Sequence, residues 1–147
     1  MATEATLRED LQAAMKARDM PTVYVLRGLL AAVANQRIER RGAEIGATEI
    51  VALTQREAKQ REEAEGYARN AGRDDLVAQN TAERAILARY LPAQLDDAEL
   101  TNLVRSWRAD GLNAMGPIMA RLKERHPGQY DGKRAAEIVR SILANNG

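Results

Sequence analysis

The sequence predicts an all-α protein: an N-terminal four-helix part with a long helical hairpin, then a small C-terminal three-helix bundle. Three observations carry this. Apolar residues recur at helical spacing along most of the chain, and no segment shows the apolar/polar alternation of a half-buried strand. The apolar supply is aliphatic, with no Phe, one Trp and four Tyr among 147 residues. Ala and Leu head the helix-propensity scale, and Arg and Glu follow closely. Finally, Gly, Pro and Asp fall between the periodic segments, where helices need stops and caps.

The elements follow in order. Leu7, Leu11, Ala14 and Met15 predict a first helix from Thr6 to Arg18, halted by Asp19-Met20-Pro21. A second spans Thr22 to Arg41, with Val23, Leu26, Leu30 and Val33 on one face and Leu29 widening it. After the polar break from Gly42 to Gly46, Thr48 is placed to cap a third helix. Ile50, Val51 and Leu53 open that helix, but Gln55 to Gly66 is apolar only at Ala58 and Ala64. Such a stretch reads as a solvated helix supported by charge pairs, here Glu57–Arg61 and Glu65–Arg69 at i,i+4, or as one that packs closely through Ala. Asn70-Ala71-Gly72 ends it, and Asp74 or Asp75 is placed to cap a fourth helix running to Leu91. Helices three and four make an antiparallel hairpin, an arm roughly 30 Å long.

Pro92 is the clearest boundary, because it cannot continue a helix and disfavours helical geometry at Leu91. It divides the chain into residues 1–92 and 93–147. Asp96 to Glu99 reads as a capping box for helix five, with Leu95 as its staple and Leu100, Leu103, Val104 and Trp107 as its stripe. Helix six starts between Asn113 and Pro117 and runs to Arg125. His126-Pro127-Gly128 is a turn, and Asp131 caps helix seven with its stripe of Ala135, Ile138, Val139 and Ile142.

The 22 basic and 21 acidic side chains leave a net charge of +1, too small a surplus for tight non-specific DNA binding. With no Cys, disulfides, thiolate metal sites and a Cys nucleophile are all excluded. No apolar run reaches membrane-spanning length, and the first ten residues lack the layout of a signal peptide. A cytosolic protein without a membrane partner is expected. His126 is the only histidine and reads as a solvated turn residue. Ser106 and Ser141 lie in mid-helix with no nucleophile elbow, and no phosphate-binding loop occurs. Glu62, Glu63 and Glu65 lack the helical spacing to a His that a carboxylate metal site uses, and read as a solvated face. A non-catalytic protein without cofactor or metal is expected.

Two surfaces remain. Lys16 to Arg41 holds six cations against Asp19 and Glu39. Arg121, Lys123, Arg125, Lys133 and Arg134 bracket the turn before helix seven, whose free N–H groups are placed to meet a phosphate. These five are the candidate RNA contacts, with ordinary surface charge as the alternative. The hairpin offers Arg56, Lys59, Arg61, Tyr67 and Arg73 as a candidate surface for a protein partner.

The chain resembles the stand-alone GatB/YqeY-domain family over nearly its whole length. The resemblance rests on Ala14-Met15-Lys16-Ala17-Arg18-Asp19 and on Leu26-Arg27-Gly28-Leu29-Leu30-Ala31-Ala32 with Asn35. It continues through Lys59-Gln60-Arg61, the run from Tyr67 to Leu76, and Tyr90-Leu91-Pro92-Ala93-Gln94-Leu95 with Glu99-Leu100. It ends with Met115-Gly116-Pro117-Ile118-Met119 and Asp131-Gly132-Lys133, where Pro117 is a departure expected to shorten or shift helix six. The resemblance implies a two-part helical fold similar to the tail of the B subunit of the glutamine-dependent aspartyl/glutamyl-tRNA amidotransferase. There the tail helps hold tRNA while the chemistry lies in another domain. It therefore implies a tRNA-associated accessory role, and no catalytic residue carries over. An adaptor that uses the hairpin at 48–91, without nucleic acid, is the alternative.

Overall fold

A computed structural model describes residues 2–145 of the chain. Among them lie seven helices and no strand: α1 (Glu4–Ala17), α2 (Met20–Glu39), α3 (Ala47–Asn70), α4 (Asp74–Ala88), α5 (Asp97–Ala109), α6 (Met115–Arg125) and α7 (Gly132–Ala144). The chain divides into two compact units, Met1–Pro92 and Ala93–Gly147.

In the first unit, Thr3 caps α1 by accepting from the Thr6 N–H at 3.2 Å, so the helix starts two residues before Thr6. Arg18 takes a left-handed conformation (φ 56°) that closes α1, and Asp19 then caps α2, also accepting from the Thr22 hydroxyl at 2.6 Å. Pro21 sits in the first turn of α2, where its missing N–H would have lacked an intrahelical partner anyway. Thr48 is not the cap of α3. The helix begins at Ala47 behind Gly46, whose N–H donates to Glu49 Oε2 at 3.2 Å. Nor does Asp74 or Asp75 cap α4: Arg73 is the capping position and both acids lie in the first turn, where they face the helix dipole favourably. α4 stops at Ala88 rather than Leu91. Tyr90 and Leu91 donate to carbonyls three residues back, tightening the chain before Pro92.

Leu7, Leu26, Leu29, Val33, Ile50 and Leu87 are completely buried and form the core of this unit with Val25, Ile45, Leu53 and Ile86. Leu30, expected on the core face, is only half-buried, and Val25 takes the deeper place. The core uses only the proximal part of the hairpin, since no residue between Ala58 and Ile86 belongs to it. Tyr90 adds a polar tie, donating its hydroxyl to Asp10 Oδ2 at 2.7 Å.

In the second unit, Asp96 and Glu99 make the expected capping box and Asp131 caps α7 by accepting from the Arg134 N–H at 2.9 Å. α6 starts at Met115, two residues ahead of Pro117, which the first helical turn accommodates. Leu100, Val104, Trp107, Ile118, Leu122 and Val139 fill its core, with Leu95 packed against it.

Replacing Leu87 by Ala is expected to cost about 2–5 kcal/mol in urea denaturation, through lost burial and the cavity left behind. A second expectation follows from Tyr90. Burial, and then its bond to Asp10, push its hydroxyl from 10.0 up to about 12. The folded state therefore holds this proton more tightly than the unfolded chain does. The resulting stabilisation is complete below pH 10 and fades as the pH rises toward 12. Tyr90→Phe should flatten the alkaline fall in stability relative to wild type, read as melting temperature against pH.

Candidate nucleic-acid interface and the hairpin surface

The basic cluster of the second unit is built around a pinned turn. The His126 N–H donates to the Leu122 carbonyl at 2.8 Å as α6 ends, and the Gln129 N–H donates to the His126 carbonyl at 3.2 Å. The segment after Pro92 then clasps this turn. The Leu95 N–H donates to the Gln129 carbonyl (2.7 Å), Gln129 Nε2 to the Ala93 carbonyl (3.0 Å) and Gln94 Nε2 to the Gly128 carbonyl (2.8 Å). His126 is not the solvated residue expected. Half-buried, it packs its ring 6.3 Å from that of Trp107 and pairs Nδ1 with Gln129 Oε1 at 3.1 Å.

The five cations around the turn fall into two kinds. Arg121 lies half-buried with its guanidinium 5.8 Å from the Trp107 ring centroid, a cation–π contact that fixes it against the bundle. Arg134 is held by Asp97 through Nε (3.1 and 3.2 Å) and Nη2 (2.7 Å), and its Nη1 donates to Glu137 at 3.1 Å. The Arg134 hydrogen bonds hold the Asp97 carboxyl below its usual range and raise the Arg134 guanidinium in turn. Lys123, Arg125 and Lys133 are exposed and form no ion pair among the described residues. At the start of α7 the Asp131 carboxylate already takes the Arg134 N–H. An incoming phosphate would meet a negative charge there, so the exposed side chains are better anion contacts than the backbone.

In the hairpin, Glu62 and Glu63 are exposed as expected of a solvated face, but Glu65 is buried. Both i,i+4 pairs form, Glu57–Arg61 at 3.5 Å and Glu65–Arg69 at 3.0 Å. But Arg61 and Glu65 also turn inward. Arg61 Nε reaches Glu83 at 3.6 Å and Glu65 receives Arg84 from α4 at 2.9 Å. Glu65 is only 8% exposed, and the Arg69 hydrogen bond, ahead of Arg84, holds its carboxyl below the usual range. With Ala68 the only buried apolar residue from Ala58 to Ala85, this part of the hairpin is closed by charge.

Of the five partner-surface candidates, Arg61 is thus engaged in the seam between the helices. Lys59 is half-buried, and Arg73 pairs with Asp75 at 3.3 Å. Arg56 and Tyr67 are exposed, Tyr67 the most exposed of the large apolar side chains among the described residues. In the other basic stretch, Arg37 is bound by Glu4 and Arg40 by Glu49, acids the local sequence does not place beside them.

The family model described as "Yqey-like protein" matches residues 4–143. The chain is also similar to the protein named "Altered inheritance of mitochondria protein 41, mitochondrial" from Eremothecium gossypii, 32% identical over 90 residues. That match covers 60% of this chain and 49% of the relative, so the chain spans about half the length of the curated relative it matches. No helix of the described residues is long and apolar enough to cross a membrane.

Glu65→Gln should loosen the seam without changing the core. Amide exchange followed by mass spectrometry should speed up between about residues 60 and 80 while α2 keeps its protection. Faster exchange spread evenly over the whole first unit would mean that the seam is not a local closure.

Proposed function

The chain belongs to the Yqey-like protein family, and on that footing we propose that it is a non-catalytic, cytosolic, tRNA-associated accessory module. It grips the phosphate backbone with the corner between α6 and α7. The single observation that carries this reading is the triplet Lys123, Arg125 and Lys133. These are three exposed cations with no ion pair among the described residues, presented around a turn held rigid by Gln94 and Gln129. Rigid presentation of free charge reduces the ordering cost of binding a polyanion. Arg121 and Arg134 support the corner, and Arg134 contacts a phosphate only by leaving Asp97. The similarity to an amidotransferase tail favours tRNA as the polyanion.

A second reading, a protein adaptor acting through the hairpin, draws on Tyr67. That aromatic side chain is 77% exposed on α3, and exposed aromatics commonly anchor protein interfaces. Pull-downs with and without nuclease separate the two: a partner that survives nuclease and is lost with Tyr67→Ser favours the adaptor.

Titrating the full chain with total tRNA at about 50 and 200 mM salt tests the RNA reading. Saturable binding that weakens with salt is expected. Changing Lys123, Arg125 and Lys133 together to Gln should reduce the steepness of log K against log salt by about 2–3. Absence of binding at the lower salt, or an unchanged slope in the triple variant, refutes it.

A further inference from the structure

α2 is apolar on two sides, and the first unit covers only one. Leu26, Leu29 and Val33 enter the core. On another side, Met20, Tyr24, Arg27, Ala31, Ala34 and Ile38 recur at spacings of four and three residues, the heptad spacing of a helix–helix seam. At 100° per residue these six fall within a stripe about 80° wide and about 27 Å long. Every one is exposed: Met20 by 41%, Tyr24 by 61% and Ile38 by 75%. A surface helix ordinarily carries polar residues there. Met15, from the last turn of α1, is a further exposed apolar side chain, 48% open.

The charge around the stripe identifies what would cover it. Arg27 lies within it, Lys16 and Arg18 precede it, and Arg41 follows it; none forms an ion pair among the described residues. Of the two acids in this stretch, Asp19 is engaged as the cap of α2, leaving Glu39. A second copy of the chain would set these cations against themselves. A nucleic acid would match the charge but leave Met20, Ala31, Ala34 and Ile38 facing phosphate and sugar. We propose that this face of α2 docks an acidic amphipathic helix of a partner protein, with apolar residues at heptad spacing flanked by Asp and Glu. Met20 and Met15 suit such a seam, since an unbranched thioether adapts to the knob it meets. The site shares no residue with the α6–α7 corner and stands without the RNA-binding reading.

The test uses the full chain and a fluorescent designed peptide of about three heptads, Leu at a and d and Glu at e and g, read by anisotropy. A matched peptide with Lys at e and g is the control. The Glu peptide should saturate below about 100 μM and bind about tenfold or more tighter than the Lys peptide. Ile38→Glu and the uncharged Tyr24→Ser should each weaken it about tenfold or more, with the melting temperature unchanged because both side chains are exposed. Failure to saturate, equal affinity for the two peptides, or binding that survives both substitutions overturns the proposal. So does tRNA binding lost with Ile38→Glu, which would assign the face to RNA. A dimer that Ile38→Glu dissociates would assign the face to a second copy and would equally overturn the proposal.

Discussion

The scarcity of large apolar side chains governs this molecule. Without Phe, and with its one Trp in the second unit, the first unit builds its core from Leu, Ile and Val. That supply closes α1, α2 and the base of the hairpin, and it runs out near Ala58. Beyond that point the seam between α3 and α4 holds the buried Ala68 and the cross-helix pairs of Glu65 with Arg84 and Arg61 with Glu83. Desolvating charge is unfavourable, so such a seam confers register more than stability. An aliphatic pair at the same height would slide more freely than a carboxylate flanked by two guanidinium groups.

Helix positions are legible in the sequence wherever one residue does one local job. Asp19, Asp96 and Asp131 cap the helices they precede, because an aspartate at the capping position accepts N–H groups two or three residues ahead. Thr48 and the Asp74-Asp75 pair mislead because several capping residues lie within one turn of the true boundary, and only backbone geometry chooses between them. Pro117 looks disruptive but sits where a helix has no need of its N–H.

The candidate surfaces are legible as lists of cations and illegible as availability. Whether an arginine is free depends on acids far away in the chain. Arg134 meets Asp97 across 37 residues, Arg37 meets Glu4 across 33, and Arg61 meets Glu83 from the other helix of the hairpin. No local charge sum contains those pairings. The stripe on α2 is hidden for the opposite reason. Its members are in plain view as part of a strongly apolar helix, but periodicity does not say which side the fold leaves open.

The placement of Trp107 has a practical corollary. It is the only indole in the chain and lies in the core of the second unit, packed by His126 and roofed by Arg121. Tyr24, Tyr67 and Tyr90 all belong to the first unit. Emission excited at the red edge of the absorption band thus reports on residues 93–147 alone, while far-ultraviolet circular dichroism averages over every helix. Disagreement between the two signals in one melt would reveal independent unfolding of the halves with no label attached.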